Sequence, residues 1–151
     1  MVGVVSDTHG LLRPEAIEVL RGSDLIIHAG DIGKPEVIEG LRSIASVVAI
    51  RGNNDRGKWA REFPETAIIE VGEVRIYVIH NVKEIDLDPA TAGFSVVISG
   101  HSHRPSVVER DGVLFLNPGS AGPRRFKLPV ALARLRVRGE SVSFRIVELD
   151  V

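Results

Sequence analysis

The sequence predicts an α/β protein built of two packed β-sheets with outer helices. Its first third alternates short β-rich runs with amphipathic helical runs, which is a βαβαβ pattern. After a short polar stretch the style changes to paired strands closed by tight turns. Helical periodicity is weak in this second half, so the later strands must bury their apolar faces against the first sheet or against each other.

The elements follow in order. Val2 to Val5 reads as a strand, Pro14 to Arg21 as a helix, Leu25 to Ala29 as a strand, Pro35 to Ser43 as a helix, and Ser46 to Ile50 as a strand. Pro14 and Pro35 stand where the first helical turn tolerates a missing N–H. Val37, Ile38 and Leu41 give the second helix an apolar stripe. Strands separated by helices pair in parallel. Thr66 to Val71 and Val74 to Ile79 then flank Gly72-Glu73, and Ser106 to Glu109 and Val113 to Leu116 flank Asp111-Gly112. Val96 to Ser99 forms a strand between these hairpins. A last pair, Val130 to Val137 and Ser141 to Leu149, closes around Gly139. No repeat, low-complexity tract or linker marks a boundary, so residues 1–151 read as one domain.

Composition narrows the function. At 151 residues, with 44% hydrophobic and 26% charged residues, the chain can bury a core of its own. Lys plus Arg total 19 against 20 Asp plus Glu, a net charge of −1, which implies no broad attraction to nucleic acid or to an anionic membrane. The absence of Cys excludes disulfides, thiolate metal sites and a Cys nucleophile. No apolar run approaches membrane-spanning length, and Met1 to Val5 is too short for a signal-peptide core. A cytoplasmic protein is expected.

The chemistry lies at strand ends. The first strand ends in Ser6-Asp7-Thr8-His9-Gly10, where residues two apart point to one side and can converge on an ion. Alone, Asp-x-His reads as a cap or turn. The second strand ends in His28-Ala29-Gly30-Asp31, which puts another acid where open α/β sheets gather ligands. His28 lies inside an apolar run and reads instead as a hydrogen-bonded core histidine. Arg51-Gly52-Asn53-Asn54-Asp55 follows the third strand, His80 follows Ile79, and Gly100-His101-Ser102-His103 follows Ser99. Four of the five histidines therefore sit at strand ends, an alignment that scattered surface histidines would not produce. Imidazole with carboxylate suits Mn, Fe, Zn or Ni better than Mg or Ca.

The series Asp7-x-His9, Gly30-Asp31, Gly52-Asn53-Asn54-Asp55, His80 and Gly100-His101-Ser102-His103 resembles the calcineurin-like metallophosphoesterase superfamily. The segment Asn117-Pro118-Gly119-Ser120, with Pro123-Arg124 after it, is similar to the small single-domain YfcE-like phosphodiesterase branch. The resemblance implies a four-layer αββα sandwich with two mixed sheets. It puts Asp7, His9 and His103 on one metal, Asn53, His80 and His101 on another, and Asp31 between them. Two positions depart from the broader pattern: Asn54 replaces a histidine regarded as the general acid, and Asn81 replaces a glycine. Without that histidine, Asp55 loses its usual partner.

The expected activity is hydrolysis of a phosphodiester by a bridging hydroxide at a dinuclear site, with Mn the leading ion and Ni, Fe or Zn as alternatives. The substrate is a small-molecule phosphodiester or nucleotide, and a homo-oligomer remains open. Asn54 is expected to donate its amide to a phosphate oxygen, and Arg124 or Arg125 to add positive charge. Pro118 spoils a nucleophile elbow at Ser120, and no phosphate-binding Walker loop is present. Two alternatives have other logic: a protein-interaction module on the same fold, similar to a retromer coat subunit, and a domain whose ions only stabilise it.

Overall fold

The computed structural model describes residues 1–151. Five strands form the first sheet: β1 (Val2–Val5), β2 (Leu25–His28), β3 (Ser46–Ala49), β9 (Ala131–Arg138) and β10 (Ser141–Glu148), in the order β10-β9-β1-β2-β3. Helices α1 (Pro14–Leu20) and α2 (Pro35–Arg42) make the two crossovers, so β1, β2 and β3 run parallel. Each helix begins with proline at its first turn and has no side-chain cap, so its stability comes from the face it buries.

The second sheet holds β4 (Thr66–Val71), β5 (Val74–Ile79), β6 (Val96–Ile98), β7 (Ser106–Arg110) and β8 (Val113–Asn117), in the order β4-β5-β6-β8-β7. Its centre, β5-β6-β8, is parallel, and β4 and β7 flank it antiparallel. Both sheets are therefore mixed. The last hairpin joins the first sheet: β9 pairs antiparallel with β1, Val2 opposite Leu135.

Strand alternation assigns the core. Val2 and Val4 of β1, Ile27 of β2, and Ile76, Val78, Val96, Ile98 and Leu116 of the second sheet interdigitate between the sheets. The opposite face of the first sheet, with Val5 and Ile26, packs under Ala16 and Leu20 of α1 and Val37, Ile38 and Leu41 of α2. Both α-helices thus cover one sheet. The outer face of the second sheet, with Tyr77, Ile79 and Val97, is covered instead by Val82, Ile85, Leu87 and Phe94, a segment holding one 3₁₀ turn, Val82–Glu84. Pro89 and the positive φ of Gly93 keep that cover from forming a longer helix. A second 3₁₀ turn, Trp59–Glu62, brings Phe63 and Trp59 against the helical layer.

Candidate metal centre

In parallel strands the C-terminal ends share an edge, so the residues after β1, β2 and β3 meet those after β5 and β6. At that edge the chain turns sharply. Asp7, His9, Asp31, His101 and His103 all have positive φ, between 46° and 72°. This left-handed backbone costs a non-glycine residue on the order of 1 kcal/mol and is concentrated here on five of the seven expected ligands.

Two donor groups result. In the first, Asp7, His9 and His103 bring their ligand atoms within 4.8 Å of one another. His103 Nε2 is 3.3 Å from Asp7 Oδ1 and 3.3 Å from His9 Nε2, and the His9 and His103 rings stack at 5.2 Å. In the second, Asp7, Asp31 and His80 do the same. His80 Nε2 is 3.3 Å from Asp31 Oδ2 and 3.8 Å from Asp7 Oδ1. Asp7 belongs to both groups. The His101 ring meets His80 edge-on at 5.2 Å, and Asn53, His80 and His101 line one open cavity of about 630 Å³.

The donors fit a divalent cation. His80 Nδ1 is 2.7 Å from the Ala29 carbonyl, which can only accept, so in the neutral ring Nε2 carries the lone pair. That lone pair faces two carboxylates, and both His80 Nε2 and Asp7 Oδ1 are buried without a hydrogen-bond partner. Converging lone pairs need a positive charge between them. The pKa directions express this need. Burial, which lowers the His80 pKa, is outweighed by Asp31, Asp7 and the Ala29 carbonyl, so the pKa rises. Burial would raise Asp31, yet His80 and both Asn54 nitrogens hold its carboxyl far below the ordinary range. Asp7 is lowered in the same way, burial being outweighed by His103, His80 and the Ser6 hydroxyl. At His9 burial wins over the two carboxylates and, with His103 and Arg125, lowers the pKa.

Residues 1–140 match the model of the calcineurin-like phosphoesterase superfamily domain. The chain belongs to that superfamily. A probable metallophosphoesterase of Methanothermobacter thermautotrophicus is 33% identical over 159 residues, covering 97% of this chain and 91% of that protein. A phosphodiesterase of Methanocaldococcus jannaschii is 31% identical over 136 residues, covering 78% of this chain and 82% of its own length. Vps29 of Chaetomium thermophilum shares the fold, with a TM-score of 0.80 at 20% identity over 97% of this chain and 96% of that one. The calcineurin-like superfamily is one of metallophosphoesterases that use divalent ions, and the two donor groups could each hold one.

Much of the calcineurin-like site is scaffolding invisible to local pattern. Asp55 accepts from the backbone of Ile32 (3.0 Å), Gly33 (2.9 Å) and Gly52 (2.9 Å), clamping the loop after β2 to the loop after β3. Left without a histidine partner, it serves as a strut. The Asn117 amide donates to the Gly100 carbonyl at 2.8 Å, and Ser120 Oγ donates to the Asp7 carbonyl at 2.8 Å. A Cβ on Gly52 would strike the Asp31 carboxylate, and one on Gly100 would strike Ser6 Oγ and Asp7 Oδ2, so both positions require glycine. His28 is the expected core histidine. It is fully buried; Nδ1 accepts from Gly30 N–H at 3.1 Å and Nε2 lies 3.0 Å from Thr8 Oγ1, which donates to the Ile32 carbonyl.

Two expectations shift, and Asn81 acquires a role. The Asn54 amide, expected to donate to a phosphate oxygen, is engaged by Asp31: its backbone N and Nδ2 each donate to that carboxylate at 3.0 Å. Arg124 donates to the Val151 carbonyl at 3.0 Å and does not line the cavity, because its loop turns it toward the chain terminus; the neighbouring Arg125 is the one whose charge reaches His9. Asn81 accepts from Lys83 N–H at 3.1 Å and starts the 3₁₀ turn beside the cavity.

Proposed function

We propose that this chain is a metal-dependent phosphodiesterase with two divalent transition-metal ions. Asp7, His9 and His103 would hold one, Asn53, His80 and His101 the other, and Asp31 would lie between them. One observation carries this reading: Asp7 Oδ1 and His80 Nε2, buried and without hydrogen-bond partners, face each other at 3.8 Å beside Asp31. Ions bound there supply Lewis-acid polarisation of phosphoryl oxygens and lower the pKa of water.

The chain's own residues would do the remaining work. The Ala29 carbonyl holds His80 in the tautomer with a free Nε2 lone pair. Ser6 and the His101 backbone N–H occupy Asp7 Oδ2 at 2.6 and 3.1 Å, which leaves Oδ1 as its donor. Asn54 fixes the plane of Asp31. Residue 54 carries no transferable proton, so the leaving alcohol must depart largely as its anion. Manganese is the ion to load first, with Ni, Fe and Zn as alternatives. A cysteine-free chain suits a cytoplasmic setting. Seven donor-bearing side chains at one edge favour catalysis over a partner-binding module on this fold.

The test is a screen of the protein, loaded in turn with Mn, Ni, Fe and Zn, against phosphomonoesters, phosphodiesters and cyclic nucleotides. Diester hydrolysis that a chelator abolishes is expected. Hydrolysis of no class with any ion, together with no stoichiometric metal by elemental analysis, would refute the reading.

A further inference from the structure

The hairpin that completes the first sheet also leaves it with a free edge. β10 is the end strand and pairs only with β9. An end strand offers a row of backbone N–H and C=O groups to any chain that can lie beside it. Side chains alternate along it, so its two faces have separate chemistries. Toward the second sheet, Val142 and Ile146 pack into the core between the sheets, whereas Phe144, opposite Leu135, stays 46% exposed because the sheet ends before its ring is covered.

The helix-side face is charged. Along β9 it reads Leu132, Arg134, Arg136 and Arg138, apolar beneath the helices and arginine beyond them. Arg134 stands directly opposite Arg145 of β10, a placement in which like charges destabilise a sheet. Arg136 and Arg138 stand opposite Ser143 and Ser141, whose short side chains leave the way to the edge open. None of these four arginines has a carboxylate partner: the arginine ion pairs of the chain belong to Arg21, Arg42, Arg51 and Arg75. Asp24 is taken by the Met1 amino group at 2.7 Å. Protecting an edge from aggregation calls for charge on the edge strand itself, yet of the four only Arg145 is on β10.

We propose that the β10 edge binds an extended peptide as a sixth strand of the first sheet, a peptide whose residues alternate acidic and apolar. Its acidic side chains face the arginines and its apolar ones cover Phe144, while its backbone pairs with the free edge. The two faces ask for opposite residue types at a period of two, which is the pattern of a strand. Nucleic acid would answer the arginines and leave Phe144, on the other face, uncovered. A second copy of this chain fits poorly, since β10 against β10 brings the arginine faces of two copies together. The inference is independent of the phosphodiesterase reading.

The probe is a fluorescein-labelled peptide of four Glu-Val repeats, titrated with the protein by fluorescence anisotropy. Two controls share its length: four Lys-Val repeats, and four Glu followed by four Val, which keeps the composition and removes the alternation. The alternating acidic peptide should bind about tenfold more tightly than either control, with affinity falling as salt rises. The double variant Arg136→Glu/Arg145→Glu, at two exposed sites, should lose about tenfold in affinity. It also relieves the repulsion between Arg134 and Arg145, so it should melt no lower than wild type. Hydrogen exchange should slow in Ser141–Glu148 when the peptide is added and stay unchanged in β3, the opposite edge. No binding, equal affinity for the two acidic peptides, a folded double variant that binds like wild type, or unslowed exchange in β10 overturns the proposal. Tighter binding of octathymidylate overturns it in favour of nucleic acid, and a dimer that protects β10 without peptide overturns it in favour of a second copy.

Discussion

Asn54 holds the carboxylate of Asp31 with two nitrogens, its backbone N–H on Oδ1 and its side-chain amide on Oδ2, each at 3.0 Å. A partner that orients a ligand is felt in the affinity for the ion. Asn54→Ala keeps the backbone bond and loses the other, so metal affinity should fall about 10-fold or more. Calorimetric titration with Mn measures it, and unaltered affinity would show that Asp31 needs no such hold.

The same residue governs the leaving group. Across aryl phosphodiesters, wild-type rates should drop steeply as the pKa of the departing phenol rises. Asn54→His should flatten that dependence, since a positioned general acid contributes about 10²- to 10⁴-fold. Equal slopes in the two proteins, with chemistry rate-limiting, would mean that the proton comes from elsewhere.

Asp31 sits 3.3 Å from His80 and 3.8 Å from His9, within reach of both donor groups. Asp31→Asn should therefore lower metal content from two ions per chain to one or none, more than His9→Ala or His101→Ala does. Elemental analysis after gel filtration decides this. Two retained ions and normal turnover would remove Asp31 from its place between the metals.

Asp55→Asn withdraws charge from three backbone N–H groups at once, those of Ile32 and Gly52 buried and that of Gly33 partly so. Because hydrogen bonds to a charged acceptor are the stronger kind, a loss of about 2 to 3 kcal/mol is expected, or about 5 to 10 °C in Tm. Calorimetric melting of wild type and variant checks it; superimposable curves would deny the strut.

Burial depresses the His28 pKa from 6.5 to about 4, despite the opposing charges of Asp7, Asp55 and Asp31. Between those values the unfolded chain binds a proton that the folded chain refuses. The contribution is thus complete above pH 6.5 and is lost as pH falls through 4, a span of about 3 kcal/mol. Urea midpoints across that range should drop for wild type and change much less for His28→Gln. Parallel profiles would show that His28 is not held neutral.

The βαβαβ start is legible because Pro14 and Pro35 mark helix beginnings and apolar runs separate them; α2 ends within a residue of its expected boundary. The partner of the last hairpin is not legible, since the pairing of Val2 with Leu135 joins distant segments with no local signature. Both 3₁₀ turns escape for the opposite reason, being too short to show a period. At the centre, ligand-type residues stand out because they repeat at strand ends. Asp55 does not, because in Asn53-Asn54-Asp55 it looks like an ordinary turn former, while two of its partners lie 22 and 23 positions earlier. Arg124 misleads because adjacent arginines look equivalent in sequence, and only the folded loop shows that Arg124 is tied to the Val151 carbonyl.

The left-handed turns at Asp7, His9, Asp31, His101 and His103 set apart what is good for folding from what is good for catalysis. Glycine would relax each of these five backbones. A population selected only for soluble, abundant protein should drift there toward glycine, while one selected for turnover must keep the strained carboxylate or imidazole. Among chains of this fold, a non-glycine residue at all five turns therefore marks a lineage still under chemical duty, and glycine spreading through them marks one that has been released from it.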